Sequence, residues 1–157
     1  MARTPTPIGS RPKDLRFAAL AAVLSRAVAA GELEATHALR ILRHQLRVMN
    51  VNGATKVPRR SEGAQAVIDR YAEAGDLIPK NGSSDALHCD HVHSLTADDL
   101  TRLVSVEEWI TELPRLVEVV CVTAAENYRL EKLERDGVTG PTKYEMAGIR
   151  VLPPVAN

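Results

Sequence analysis

Between Lys13 and Ala30 the apolar residues Leu15, Ala18, Ala19, Ala22, Val23 and Ala27 recur at helical spacing. Gly31 then stands where a helix C-terminus favours a left-handed residue. A second helix follows from about Glu32 to Met49, with Leu39, Leu42, Leu46 and Met49 on one face and Arg40, Arg43, His44 and Arg47 mainly along another. Together they predict an antiparallel helical hairpin with a very short turn. Asn50-Val51-Asn52-Gly53-Ala54 is turn chemistry, and Lys56, Arg59 and Arg60 make a basic loop after it. Ser61 is placed to cap a third helix containing Ala66, Val67, Ile68 and Tyr71, which Gly75 ends. Asn81-Gly82-Ser83-Ser84-Asp85 reads as a loop and as the boundary between two regions.

Beyond that loop the pattern changes. A short strand is expected from Ala86 to His91, and Thr96 with Asp99 forms a capping box for a helix. A further helix starts near Ser105, carries Trp109, Ile110 and Leu113, and is expected to end before Pro114. Leu116 to Val122 is β-branched and apolar, the strongest strand signal in the chain. Thr123 caps a helix from Ala124 to Arg135 that Gly137 stops. Gly140-Pro141 opens a short helix over 142–147, and Ile149 to Leu152 is a candidate final strand. The expected class is α+β and mostly helical. Residues 1–12, with three prolines, form a flexible arm. Residues 13–80 form a basic helical region, and residues 81–157 a small strand–insert–strand–helix unit with a short C-terminal helix.

Composition sharpens this in two places. Only five of the 157 residues are aromatic, so Ala, Val and Leu must fill the core. Formal net charge is zero, but residues 1–60 hold 11 Lys/Arg against 3 Asp/Glu, a net of +8, and residues 61–157 hold 9 against 17, a net of −8. Such a split suggests a basic face for a polyanion joined to an acidic body, or two halves that attract each other. Two cysteines 32 positions apart, both in strand-like segments, do not make a disulfide framework and suit a reducing compartment. No apolar run approaches the roughly 20 residues of a membrane span, and Met1 to Pro7 has no apolar signal core. A cytoplasmic protein with no membrane partner is expected.

The densest chemistry lies in Leu87-His88-Cys89-Asp90-His91-Val92-His93-Ser94-Leu95, where imidazoles, a thiol and a carboxylate fall within six residues. With Val120-Cys121-Val122-Thr123-Ala124-Ala125-Glu126-Asn127-Tyr128-Arg129-Leu130, this stretch resembles the ββα-metal unit of HNH, or His-Me finger, endonucleases. The resemblance covers about Leu87 to Arg135 and implies a divalent ion, Mg²⁺ or Mn²⁺, that stabilises charge on a scissile phosphate. It implies Asp90 and the amide oxygen of Asn127 as metal ligands and His91 as general base, and His93 is a further candidate, as a third ligand or as the group that orients His91. Adjacent strand residues point to opposite faces, so Asp90 and His91 share one ion only if the strand ends or bends there. The chain departs from the family pattern in three ways. It has no Asn between Asn81 and Asn127 for the middle position, Asp98 to Pro114 must be an insert, and the family's frequent Cys-x-x-Cys pairs are absent.

Each of these residues has a plainer reading. His91 is then a satisfied core histidine, Asp90 a turn or cap carboxylate, and His93 a surface residue. His88-x-Asp90 or His91-x-His93 with Cys89 is an alternative ligand set for Zn²⁺. Thr123-x-x-Glu126 is a capping box, which favours capping for Glu126. Cys121 sits among valines and reads as core, and Trp109 as an anchor of the insert. Tyr144 and Met146 offer packing over the ββα unit, and no chemistry is legible between Gly140 and Ile149. Two functions follow. One is metal-dependent hydrolysis of DNA or RNA by an HNH-like site, weakened where the pattern is incomplete, with Arg40, Arg43, Arg47, Lys56, Arg59 and Arg60 gripping phosphates. The other is a non-catalytic regulator or adaptor that uses the basic hairpin on nucleic acid or on a protein partner.

Overall fold

The computed structural model describes residues 6–49 and 53–155. In chain order its elements are α1 (Pro12–Ala29), α2 (Ala35–Met49), a 3-10 turn (Ala54–Lys56), α3 (Glu62–Ala74), β1 (Leu87–His91), α4 (Ala97–Arg102), α5 (Val106–Leu116), β2 (Val119–Thr123), α6 (Ala124–Arg135) and α7 (Thr142–Met146). The class is mixed α+β and mostly helical, as the patterning predicts. Among the described residues, no helix is long and apolar enough to cross a membrane.

The chain divides into two units, one built from residues 1–51 and 95–117, the other from 52–94 and 118–157. This division differs from the one expected at the 81–85 loop. The segment read as an insert, holding α4 and α5, packs with α1 and α2, whereas α3 packs on β2. The reason is apolar matching over long sequence separation, which leaves no local signal.

In the first unit, α1 packs against α2, α4 and α5. Ala18, Ala21 and Ala22 of α1 are fully buried, and their small side chains let neighbouring backbones come close. Leu42 and Leu46 of α2 and Trp109, Leu113 and Leu116 of α5 complete the core. Phe17 meets Trp109 edge to face, with ring centres 6.1 Å apart and planes at 82°. Pro114 does not end α5, which continues through it to Leu116. Burial of Leu116 beside Leu113 outweighs the one backbone hydrogen bond that proline removes. As a result β2 begins at Val119, later than the apolar run suggests. Residues 1–5 of the expected arm lie outside the described residues. The part that is described is tied down, because Asp14 accepts hydrogen bonds from the amides of Gly9 at 2.9 Å and Arg11 at 3.3 Å.

In the second unit, β1 and β2 pair antiparallel, with Leu87 opposite Thr123, Cys89 opposite Cys121 and His91 opposite Val119. The far edge of β2 is also used. The Cys121 amide donates to the Arg59 carbonyl and its own carbonyl accepts from the Ser61 amide, both at 2.9 Å. The expected last strand survives only as a bridge between Val151 and Ser61. Val120 and Val122 join Val92, Leu130, Tyr144 and Ile149 in one apolar cluster, and Cys121 joins Val57 and Ala64 in another on the opposite face. Several caps match the sequence signals. Ser61 Oγ accepts from the Ala64 amide, Thr96 and Asp99 cap α4, and Thr123 and Glu126 cap α6. Glu126 also accepts from Ser61 Oγ at 2.6 Å, and Gly63 alone leaves it room, since a Cβ there would lie 2.6 Å from Oε1.

The Asp14 tie generates a pH prediction. Burial raises its carboxyl, but the Arg11 side chain and the amides of Gly9 and Arg11 outweigh burial and hold it below the usual range. The folded state therefore holds Asp14 ionised, and the stabilisation is present above the unfolded value and lost as pH falls. Asp14→Asn should cost about 1.5–3 kcal/mol at neutral pH, since the bonds it removes are to a charged group. That difference from wild type should be complete above about pH 5 and shrink toward pH 3. Urea unfolding at pH 7, 5 and 3 measures it, and a difference that ignores pH would remove the charge from the account.

Candidate functional site

The strand alternation decides how the dense segment of β1 is used. Asp90 is 7% exposed and lies on the face that meets Tyr144. Cys89 packs on the opposite face with Val57, Ala64 and Cys121. His91 is still extended and paired with Val119, and the Val92 amide continues the ladder by donating to the Glu118 carbonyl at 3.0 Å. The bend that would bring His91 round to Asp90 therefore does not precede His91. By alternation its side chain belongs to the Cys89 face.

Asp90 is met by residues in which the sequence shows no chemistry. Lys143, wholly buried, places Nζ 2.9 Å from Asp90 Oδ2 and 3.2 Å from Oδ1. The Tyr144 hydroxyl donates a short hydrogen bond to Oδ2. The same Nζ donates to Glu134 Oε1 and to the His91 carbonyl, each at 2.6 Å. Ser94 Oγ donates to Glu134 Oε1 at 2.9 Å. Burial pushes the Asp90 carboxyl up, while Tyr144 and Lys143 pull it back. Burial, together with Asp90 beside it, pushes the Tyr144 phenol far up, so it stays a donor. The result is a buried ammonium between two carboxylates. The local signals were modest: a lysine in a short helix between Gly140 and Gly148, with its partner 53 positions back.

The other predicted ligands lie elsewhere. Asn127 Nδ2 donates to Glu131 at 2.9 Å on the surface of α6. The α6 residue that shares Lys143 with Asp90 is Glu134, which by helical rise stands about 10 Å further along the axis than Asn127. His93 is half-buried, with Nε2 3.8 Å from Glu118. Among the described residues no three His, Cys, Asp or Glu side chains converge as a metal site. With both Asp90 oxygens engaged and Asn127 turned to Glu131, these side chains as arranged do not fit a Mg²⁺ or Mn²⁺ ion. Glu126 acts as the expected cap.

The six basic residues separate by what they bind. Arg59 forms a short ion pair with Glu118. Arg60 donates to the Val57 and Thr55 carbonyls and to Gln65 Oε1. Both belong to the second unit, as does exposed Lys56. Arg40, Arg43 and Arg47 belong to α2 and, with Thr36 and His44, line an open recess of about 380 Å³. All five are exposed. Among the described residues no carboxylate lies within ion-pair distance of these three arginines. Arg43 is steadied by donating to the Leu95 carbonyl at 2.7 Å.

No protein-family model matches this sequence, no curated protein matches it, and no solved structure matches its fold.

The Lys143 arrangement predicts strong coupling. Lys143→Met removes the ammonium shared by two carboxylates and should cost about 3–5 kcal/mol, the usual penalty for breaking a buried pair. Adding Asp90→Asn should cost less than the sum of the two single changes, because the neutral amide no longer needs the ammonium. Urea unfolding of the four proteins tests this, and strict additivity would mean that Lys143 and Asp90 do not depend on each other.

Proposed function

We propose that this chain binds the phosphate backbone of nucleic acid through the outer face of α2, without cleaving it. The observation that carries the reading is the exposed set Arg40, Arg43 and Arg47, outside any ion pair among the described residues, around one recess with Thr36 and His44. Positions 36, 40, 43, 44 and 47 fall on one side of a helix. Arginine forks suit phosphate oxygens bidentately, and the threonine hydroxyl adds a neutral donor. Three arginines imply modest affinity with a salt slope of about −3 on duplex DNA.

The hydrolytic reading keeps one observation in its favour. β1, the excursion through α4 and α5, β2 and α6 follow in the order of a ββα-metal unit, with β1 and β2 antiparallel. It requires Asp90 to exchange Lys143 and Tyr144 for other partners. A plasmid-nicking assay with Mg²⁺ and Mn²⁺ separates the two functions. Metal-dependent nicking by the wild type that His91→Ala abolishes would replace the binding reading with the catalytic one.

Reversing Arg43 and Arg47 to Glu should weaken binding to DNA or RNA by tenfold or more and reduce the salt slope by about 2, one for each phosphate no longer neutralised. The melting temperature should move little, because the face is exposed. Mobility shifts at about 50 and 200 mM salt measure both quantities. Unchanged affinity in the double variant would overturn the assignment of this face. Failure of the wild type to bind any polyanion would direct the search to a protein partner.

A further inference from the structure

Cys89 and Cys121 are direct cross-strand neighbours in β1 and β2, and both are free thiols. The backbone bonding fixes the kind of position they occupy. Cys121 uses its amide and carbonyl on Arg59 and Ser61, on the far side of β2 from β1. The flanking ladder bonds, Ala124 amide to Ala86 carbonyl and Val92 amide to Glu118 carbonyl, put the hydrogen-bonded pairs at even-numbered positions of β1. Cys89 and Cys121 are therefore a non-hydrogen-bonded pair, whose Cα atoms approach to about 4.5 Å. That distance lies at the short end of the span a disulfide bridges, about 4.4–6.8 Å. Adjacent side chains at such positions point the same way, and both thiols pack on the face of Val57 and Ala64.

We propose that Cys89 and Cys121 are a reversible thiol–disulfide pair, closed across the β1–β2 sheet by exchange with a low-molecular-weight disulfide. Cys89, half-buried, is the thiol a small reagent reaches, and Cys121, wholly buried, is the resolving thiol. The Cys89 thiolate attacks one sulfur of the small disulfide. Its S–S bond breaks and one small thiol leaves with a proton. The Cys121 thiolate then attacks the Cys89 sulfur of the mixed disulfide and displaces the second small thiol, again protonated. Two protein thiols are oxidised to one disulfide, and one small disulfide is reduced to two thiols. Burial raises the Cys89 thiol, and burial with Cys89 alongside pushes Cys121 up to about 12, so exchange is slow.

The location gives the bond leverage. Between the two cysteines the chain leaves this unit after Ser94, builds α4 and α5 of the other unit, and returns at Glu118. Closing Cys89 to Cys121 fastens the root of that excursion on the face opposite Asp90.

The test uses the full chain, folded, at about pH 8, where the thiolate fraction is larger. It is incubated with excess glutathione disulfide, remaining thiols are alkylated, and the intact mass is read. The wild type should lose both alkylatable thiols, retain no glutathione, form no covalent dimer, and recover both thiols with dithiothreitol. Cys121→Ala should keep one glutathione on Cys89, and Cys89→Ala should take up almost none. Alanine is chosen because a serine hydroxyl at the dry Cys121 position would be left without water. The proposal is overturned if wild-type Cys89 keeps its glutathione while Cys121 remains alkylatable. It is equally overturned if covalent dimers form, or if the folded wild type does not react. The wild-type result is decisive even if a variant fails to fold.

Discussion

Taking the Asp90 carboxylate out of water imposes the arrangement around it. An ionised group in a dry interior needs a counter-charge and donors for its lone pairs, and β1 supplies neither. Both come from α7, through the ammonium of Lys143 and the phenol of Tyr144. The ammonium in turn needs further acceptors, found in Glu134 at the end of α6 and in the His91 carbonyl. Ser94 then bonds to Glu134, and Gly140 donates its amide to the Val92 carbonyl at 2.9 Å, which seats the approach to α7 against the end of β1. The cluster thus settles where α7 lies and how α6 ends.

What the sequence disclosed and what it withheld divide by distance along the chain. Capping is a contact across three residues, so Ser61, the Thr96–Asp99 box and the Thr123–Glu126 box were readable before any fold was known. Gly31 and Gly75 likewise announced positive backbone angles, 72° and 69°, at helix ends. The Asp90–Lys143 pair spans 53 residues and the Ser61–Glu126 bond 65. Neither leaves a periodic trace. Metal-ligand reasoning noticed Asp90 because of its neighbours in sequence, and the fold surrounded it with different ones.

The basic half shows the same boundary between pattern and pairing. A stripe at 40, 43 and 47 is legible because helical geometry alone places those side chains together. Whether a basic residue is free for a partner depends on carboxylates and carbonyls far away in sequence. Arg59 is matched to Glu118 and Arg60 to its own loop, while α2 keeps its arginines outside any ion pair among the described residues. The +8 of residues 1–60 therefore overstates the charge available to a ligand, and α2 holds a cluster of three arginines that remains exposed.

The two units are interleaved along the chain, which has a consequence for how the protein is made. Residues 95–117 complete the first unit but are carried between the two strands of the second. During vectorial synthesis α1 and α2 emerge early, yet Trp109, Leu113 and Leu116, which fill their core, arrive only after β1 and α3 have been extruded. Until then Phe17 and Leu42 lack the partners that bury them. The N-terminal helices consequently wait, half-covered, for the middle of the chain, and β1 waits for β2 across the same interval. Neither unit is encoded by one continuous stretch, so no cut at a single point of the gene separates them.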